Sequence, residues 1–259
     1  MLLNAVIIIL REVLEASLIV SLFLAFSQRQ NINRRWLLGA LAVGLTCAVF
    51  YAMNIVIISQ WFDGAGQELV NALNHSLIYL MLVLFVCFSF HNKATNYVKT
   101  MSIIMFLGVV FASIREGSEI ILYIYGFKSN YELLKPVLFG SAIGTGIGVS
   151  IGVFFYYLLV SVSKELGKRL GFLLCVLAAG GMVLQVTQLL VQADWLPGQY
   201  PIWDTSALIR ESSITGQLLY ALIGYEATPT PIQMMGYLIA VSAMLVLAYF
   251  SHRSSLRYK

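Results

Sequence analysis

Seven apolar runs, each close to or above 20 residues, leave this chain few ways to fold: roughly 3–27, 36–60, 71–91, 100–125, 137–162, 171–193 and 232–250. About 20 apolar residues in a helix cross the roughly 30 Å hydrocarbon core of a bilayer. No water reaches backbone N–H and C=O groups there, so a spanning segment satisfies them internally, and a run of this length does so as a helix. Composition agrees, with 59% of residues hydrophobic and only 11% charged, against about a quarter charged in soluble domains. The expectation is an all-α membrane protein of seven transmembrane helices, a single membrane domain over 1–259 without a soluble module. The first run does not read as a cleavable signal, because it lacks a basic leading stretch and Arg11 and Glu12 interrupt its apolar core.

The net charge of +4 carries information only once it is mapped. With the first helix starting outside and the others alternating, inner loops and the tail hold Arg29, Arg34, Arg35, Lys93, Lys99, Lys164, Lys168, Arg169, Arg253, Arg257 and Lys259. Outer loops hold Lys128, Lys135 and Arg210. Eleven inner against three outer basic residues predicts an outside N-terminus and an inside C-terminus. The basic residues thus report topology and not nucleic-acid binding. Asp63, Glu68, Glu132, Asp194, Asp204, Glu211 and Glu226 fall outside, with Glu165 inside. Such an acidic rim would concentrate cations; ordinary solvated loops account for it equally well. Cys47, Cys87 and Cys175 lie in three different spans without C-x-x-C spacing and read as small buried apolar residues.

Two runs carry charges where a spanning helix tolerates them least: "REVLE" at 11–15 and "REGSE" at 115–119, both R-E-x-x-E. At about 100° per residue, the arginine and both glutamates of each motif share one helix face. Ionised residues at mid-bilayer cost about 2.5–3.5 kcal/mol each on insertion scales, so six would cost roughly 15–20 kcal/mol unrelieved. Pairing at i,i+4, Arg11 with Glu15 and Arg115 with Glu119, relieves part of this. It leaves Glu12 and Glu116 without a local partner.

The first motif helix runs from outside to inside and the second from inside to outside. Units over about 3–91 and 100–193 then form an inverted repeat of two three-helix units, followed by the seventh helix at 232–250. Transporters of that architecture hold substrate near the midplane, between the repeats. Gly140, Gly144, Gly148 and Gly152 in one second helix, and Ala40, Gly44, Ala48 and Ala52 in the other, form small-residue ridges suited to close packing. Four converging carboxylates make an oxygen-only cage for a hard cation. With two arginines the cluster has a formal charge of −2. From the residues alone the reading is a transporter for a hard di- or trivalent cation, with proton linkage open.

Two R-E-x-x-E motifs in spans one and four of a seven-helix chain resemble the oxidase-dependent iron permease family. That family contains fungal Ftr-type high-affinity permeases and shorter bacterial EfeU-type ferrous iron permeases. The resemblance extends to "AAGG" at 178–181, to "WDTSALIRESSITGQLLYALIGYEATPTP" at 203–231, and to the last span with its basic tail. Length and compact loops favour the bacterial branch. The resemblance implies iron, as Fe2+ or Fe3+, as a transported substrate with no permanently bound cofactor, and no enzymatic activity. It implies Glu12, Glu15, Glu116 and Glu119 as the ligands. It also implies a separate periplasmic or extracellular iron oxidase or delivery protein, and a multi-pass location in a bacterial inner membrane. On this reading Arg11 and Arg115 keep the glutamates ionised and in place.

Supporting features are less specific. Gln185, Gln188 and Gln192 form a polar stripe on the outer half of span six, matched by Asn71, Asn74 and His75 in span three. With Asp63 and Glu68 these residues are candidates for an outer vestibule, and interhelical hydrogen bonding is the alternative. His91 and His252 read as interfacial. In the outer segment, about 194–231, "ITGQLLYALIG" is too short to span and reads as a re-entrant or surface-lying helix, with Asp204 capping a short helix through "TSALIRE". Two rival functions are an intramembrane protease of the glutamate type, for which EExxxR, HExxH and GxSG are all missing, and a non-transporting membrane metal sensor.

Overall fold

The computed structural model describes residues 1–89 and 97–257. His91, Lys93 and Lys259 lie outside the described residues, as do the side chains of His252 and Arg257. The regular structure among the described residues is helical, without strands: α1 (Leu2–Arg29), α2 (Arg35–Met53), α3 (Ile55–Ser59), α4 (Gly66–Ser89), α5 (Tyr97–Gly126), α6 (Tyr131–Ser161), α7 (Lys164–Gln192), α8 (Ile214–Ile223) and α9 (Pro231–Arg257). Among the described residues six helices, α2, α4, α5, α6, α7 and α9, are long and apolar enough to cross a membrane. The chain is an integral multi-pass membrane protein. α1 has 28 residues and a length of about 42 Å, but Arg11, Glu12 and Glu15 sit at its middle.

Local chemistry sets the helix ends. The single expected span at 36–60 is broken because Asn54 leaves helical geometry and its Nδ2 donates to the Phe50 carbonyl at 2.8 Å, leaving α3 as a separate turn. Asn130, Ser163 and Ser213 accept side-chain caps from the first turns of α6, α7 and α8. The expected helix after Asp204 does not form. Asp204 instead accepts from the Ser206 amide at 2.8 Å within a turn, and the Ser206 bonds hold its carboxyl below the usual carboxylate range. Gly224 ends α8 at φ 69°, a left-handed geometry that favours glycine, and its Cα packs on Gly181 near the middle of α7.

The small-residue ridges do pack, that of α6 against α1 and that of α2 against α5. A Cβ at Gly140 would meet Leu2 and Ala5, one at Gly144 would meet Val6 and Ile9, one at Gly148 would meet Val13, and one at Gly152 would meet Ser17. Contacts that advance together along both chains make α1 and α6 parallel. Ser17 and Ser21 hydroxyls donate across this seam to the Gly148 and Gly152 carbonyls at 3.1 and 2.6 Å. At its end the Arg29 guanidinium caps α6 through the Leu159 and Val162 carbonyls. Similarly, Gly44 meets Val110 and Ser113 while Ala48 meets Gly117, so α2 runs parallel to α5. α1 and α5 cross antiparallel, with Glu12 on Arg115, Phe23 over Gly108 and Ser27 on Met105.

Below the charged segments lies an apolar layer. Phe23 and Phe26 pack on Phe85 at ring-centroid distances of 4.9 and 4.8 Å, among Ile78, Leu82, Met101, Met105 and Ala179. Beyond it, at the end carrying Arg29 and Lys164, a cavity of about 800 Å³ opens between α1, α4, α7 and α9. α4 packs on α7, and α8 is wedged between α1 and α7. Outward faces of α2 and α6 expose Phe50, Met53, Phe139 and Phe154, as lipid-facing surfaces do. Cys175 is buried as expected, whereas Cys47 is exposed on α2, because that helix turns its cysteine away from α5.

The α1–α6 seam leaves no room for side chains. A Cβ at Gly144 would fall 2.6 Å from the Val6 carbonyl oxygen, while one at Gly146 on the same helix would meet nothing within 4 Å. Gly144→Val should therefore lose about 1–3 kcal/mol or fail to fold, and Gly146→Val should not. Thermal melting of the two purified variants in detergent checks this.

Candidate metal centre

Helical phase turns all six motif charges of α1 and α5 toward their mutual crossing. Arg115 is at its centre. Its Nη1 lies 2.7 Å from Glu12 Oε2, 2.9 Å from Glu116 Oε2 and 2.9 Å from Glu119 Oε2. Arg11 Nε lies 3.3 Å from Glu15 Oε1 and 3.8 Å from Glu12 Oε1. The expected i,i+4 pairs are present. Glu12 finds its closest partner on the other helix, where Arg115 reaches across from α5, whereas Glu116, expected to lack a local partner, is paired with its own neighbour Arg115. Spacing within one helix cannot reveal a pairing made between two.

Charge is unevenly spread in this cluster. Arg11 and Glu15 balance each other, so the formal −2 falls on the group of Glu12, Glu116 and Glu119 around Arg115. Three carboxylates share one guanidinium nitrogen there, and Arg115 Nε, buried, has no hydrogen-bond partner. Glu12, Glu15, Glu116 and Arg115 are buried, while the Glu119 side chain keeps 30% of its surface open. Among the described residues no three His, Cys, Asp or Glu side chains are spaced to hold one metal ion as they stand. The four carboxylates are gathered, with guanidinium groups among them.

Neighbours extend the cluster in two directions. Gln185 Nε2 on α7 donates to Glu15 Oε2 at 2.9 Å, and the Gln185 side chain lies beside His75 of α4. On the other flank, Tyr51 of α2 lies within electrostatic reach of both Glu119 and Glu68, and its hydroxyl donates to Asn71 Oδ1 at 3.2 Å. Two partners escaped the sequence reading. Tyr51 is one, and Tyr220 of α8 is the other, its ring 4.3 Å from the Arg11 guanidinium carbon. An aromatic residue in an apolar helix too short to span was the available signal for Tyr220.

The other vestibule candidates divide. Gln185 and His75 join the cluster. Glu68 stands at its margin, half-buried, and Asp63 is on an exposed turn at φ 58°. Gln188 is half-buried on α7. Asn74 Nδ2 donates to the Phe111 carbonyl at 3.1 Å, which is the interhelical bonding held as the alternative.

The family model described as "Iron permease FTR1 family" matches residues 2–258. No curated protein and no solved structure matches the chain.

Removing Arg115 would strand three buried or half-buried carboxylates. Arg115→Leu should cost about 3–5 kcal/mol, the scale for breaking a buried ion pair. Arg115→Leu combined with Glu12→Gln and Glu116→Gln should recover a large part of it. Detergent melting curves of the single and triple variants test the pairing.

Proposed function

The chain belongs to the iron permease FTR1 family, and from that premise we propose that it moves iron across the membrane through Glu12, Glu15, Glu116 and Glu119. Iron is the transported substrate of this integral membrane permease. The observation that carries the four-glutamate reading is the Arg115 nitrogen held by three carboxylates at 2.7, 2.9 and 2.9 Å. A group that gathers three anions around one tethered cation has the composition of a cation site. Arriving iron competes with Arg115 for Glu12, Glu116 and Glu119, and the formal −2 of the six residues matches a divalent charge. Carboxylate oxygens suit such an ion. Arg115 and Arg11 meanwhile hold the buried glutamates in place, and by competing they limit affinity so that the ion can leave.

The route follows polarity. Toward the ends of α4 and α7 that carry Glu68 and Gln188, the cluster is bordered by Tyr51, Asn71, His75 and Gln185, and Glu119 is its most open carboxylate. In the other direction the Phe23–Phe85–Phe26 layer separates the cluster from the 800 Å³ cavity. Entry is from the polar side, and passage onward requires the aromatic layer to part. The antiparallel crossing of α1 and α5, with the α1–α6 and α2–α5 pairings, supports an inverted repeat in which α1 is the seventh span. The distribution of basic residues supports an outside N-terminus and an inside C-terminus, and the chain's length and compact loops favour a bacterial inner membrane. α8 fits a re-entrant helix, because its cap packs at the middle of α7. A separate extracytoplasmic oxidase or delivery protein supplies the iron.

Radiolabelled iron uptake into proteoliposomes tests this reading. Glu12→Gln and Glu116→Gln should abolish uptake at unchanged protein incorporation. Wild-type rates in either variant would remove the glutamates from the path.

A further inference from the structure

His75 is a completely buried histidine that the four-glutamate reading leaves without a task. Its Nδ1 lies 2.8 Å from the Asn71 carbonyl, which can only accept, so Nδ1 carries the proton and Nε2 presents a lone pair. The Gln185 side chain lies beside the ring, and Gln185 Nε2 is already given to Glu15 Oε2 at 2.9 Å. Neither His75 Nε2 nor Gln185 Oε1 has a hydrogen-bond partner. Turning the Gln185 amide would give Nε2 a donor but would set Oε1 against the Glu15 carboxylate. With the ring neutral, no orientation of Gln185 serves both neighbours of this fully buried group; a proton on Nε2 would, by donating to Gln185 Oε1. A cation between them removes the conflict, since both atoms are ligand atoms and Glu15 supplies negative charge alongside.

We propose that His75 Nε2 and Gln185 Oε1, beside Glu15, form a mixed nitrogen–oxygen subsite that takes a divalent transition-metal ion on the permeation path. The proposal rests on the iron-permease reading and adds a selectivity element to it. Carboxylates alone serve magnesium, calcium and manganese, whereas an imidazole nitrogen favours later transition metals, iron(II) over manganese(II) among them. The subsite joins α4 and α7 to the glutamates of α1. It stands on the polar side of the cluster, where an entering ion would meet it before the aromatic layer.

The test uses iron(II), loaded anaerobically into the purified full-length protein, with X-ray absorption at the iron edge. Wild type should show outer-shell scattering from an imidazole ring, absent in His75→Asn. In proteoliposomes the ratio of iron(II) to manganese(II) uptake should fall by about tenfold in His75→Asn, the low end of what loss of a metal-site residue costs. An all-oxygen shell in wild type overturns the subsite, as does an unchanged uptake ratio in the variant. Should His75→Asn fail to fold, the wild-type absorption spectrum decides alone. Wild-type vesicles that take up no iron would overturn the permease reading itself, an outcome read before any variant is made.

Discussion

One guanidinium nitrogen shared by three carboxylates is the interaction on which the rest of this structure depends. Six ionisable side chains at the middle of two helices are tolerable only if they meet one another, and Arg115 makes them meet across helices. Glu12 belongs to α1, Glu116 and Glu119 to α5, and the 2.7 Å contact between Arg115 and Glu12 ties the two together. Such a buried network adds little stability by itself, because desolvation offsets the Coulomb attraction. Its effect is to fix which helices cross, and where. The same network leaves carboxylate charge in excess, as a cation carrier requires.

The glycine seams make that crossing reachable. α6 lies against α1 and α2 against α5, so each small-residue helix grips a motif helix. Gly140, Gly144, Gly148 and Gly152 bring backbones close enough for Ser17 and Ser21 to donate to α6 carbonyls. Close packing and short hydrogen bonds replace the hydrophobic drive that lipid does not provide. α8 breaks the pattern. It stands between α1 and α7, whereas α4 packs directly on α5. Tyr220 of α8 meets Arg11, the motif arginine whose side chain keeps 29% of its surface open, so the wedge also completes the cluster on that flank.

Much of this was legible in the sequence, and for identifiable reasons. Length and apolarity marked the long helices, and four-residue spacing marked the seams. The doubled motif marked the cluster, because charge in lipid demands explanation. What escaped were facts about pairs of helices. Nothing in "REVLE" says that Glu12 belongs to Arg115, since the two residues approach only when α1 and α5 cross. Asn54 ended a span early through a bond to its own helix, a local competition that an apolar run conceals. Gln185 was read as a vestibule residue; in the fold its amide holds Glu15 and leaves His75 without a donor.

If iron takes the place of Arg115 among the carboxylates, its position in the loaded protein is the decisive observation. Anomalous scattering at the iron edge, from crystals grown with iron, measures it directly. The account predicts a peak between α1 and α5, within coordination distance of Glu12 and Glu116, with the Arg115 side chain withdrawn from Glu12. A peak elsewhere, with the Arg115 contacts to Glu12, Glu116 and Glu119 intact, would contradict it.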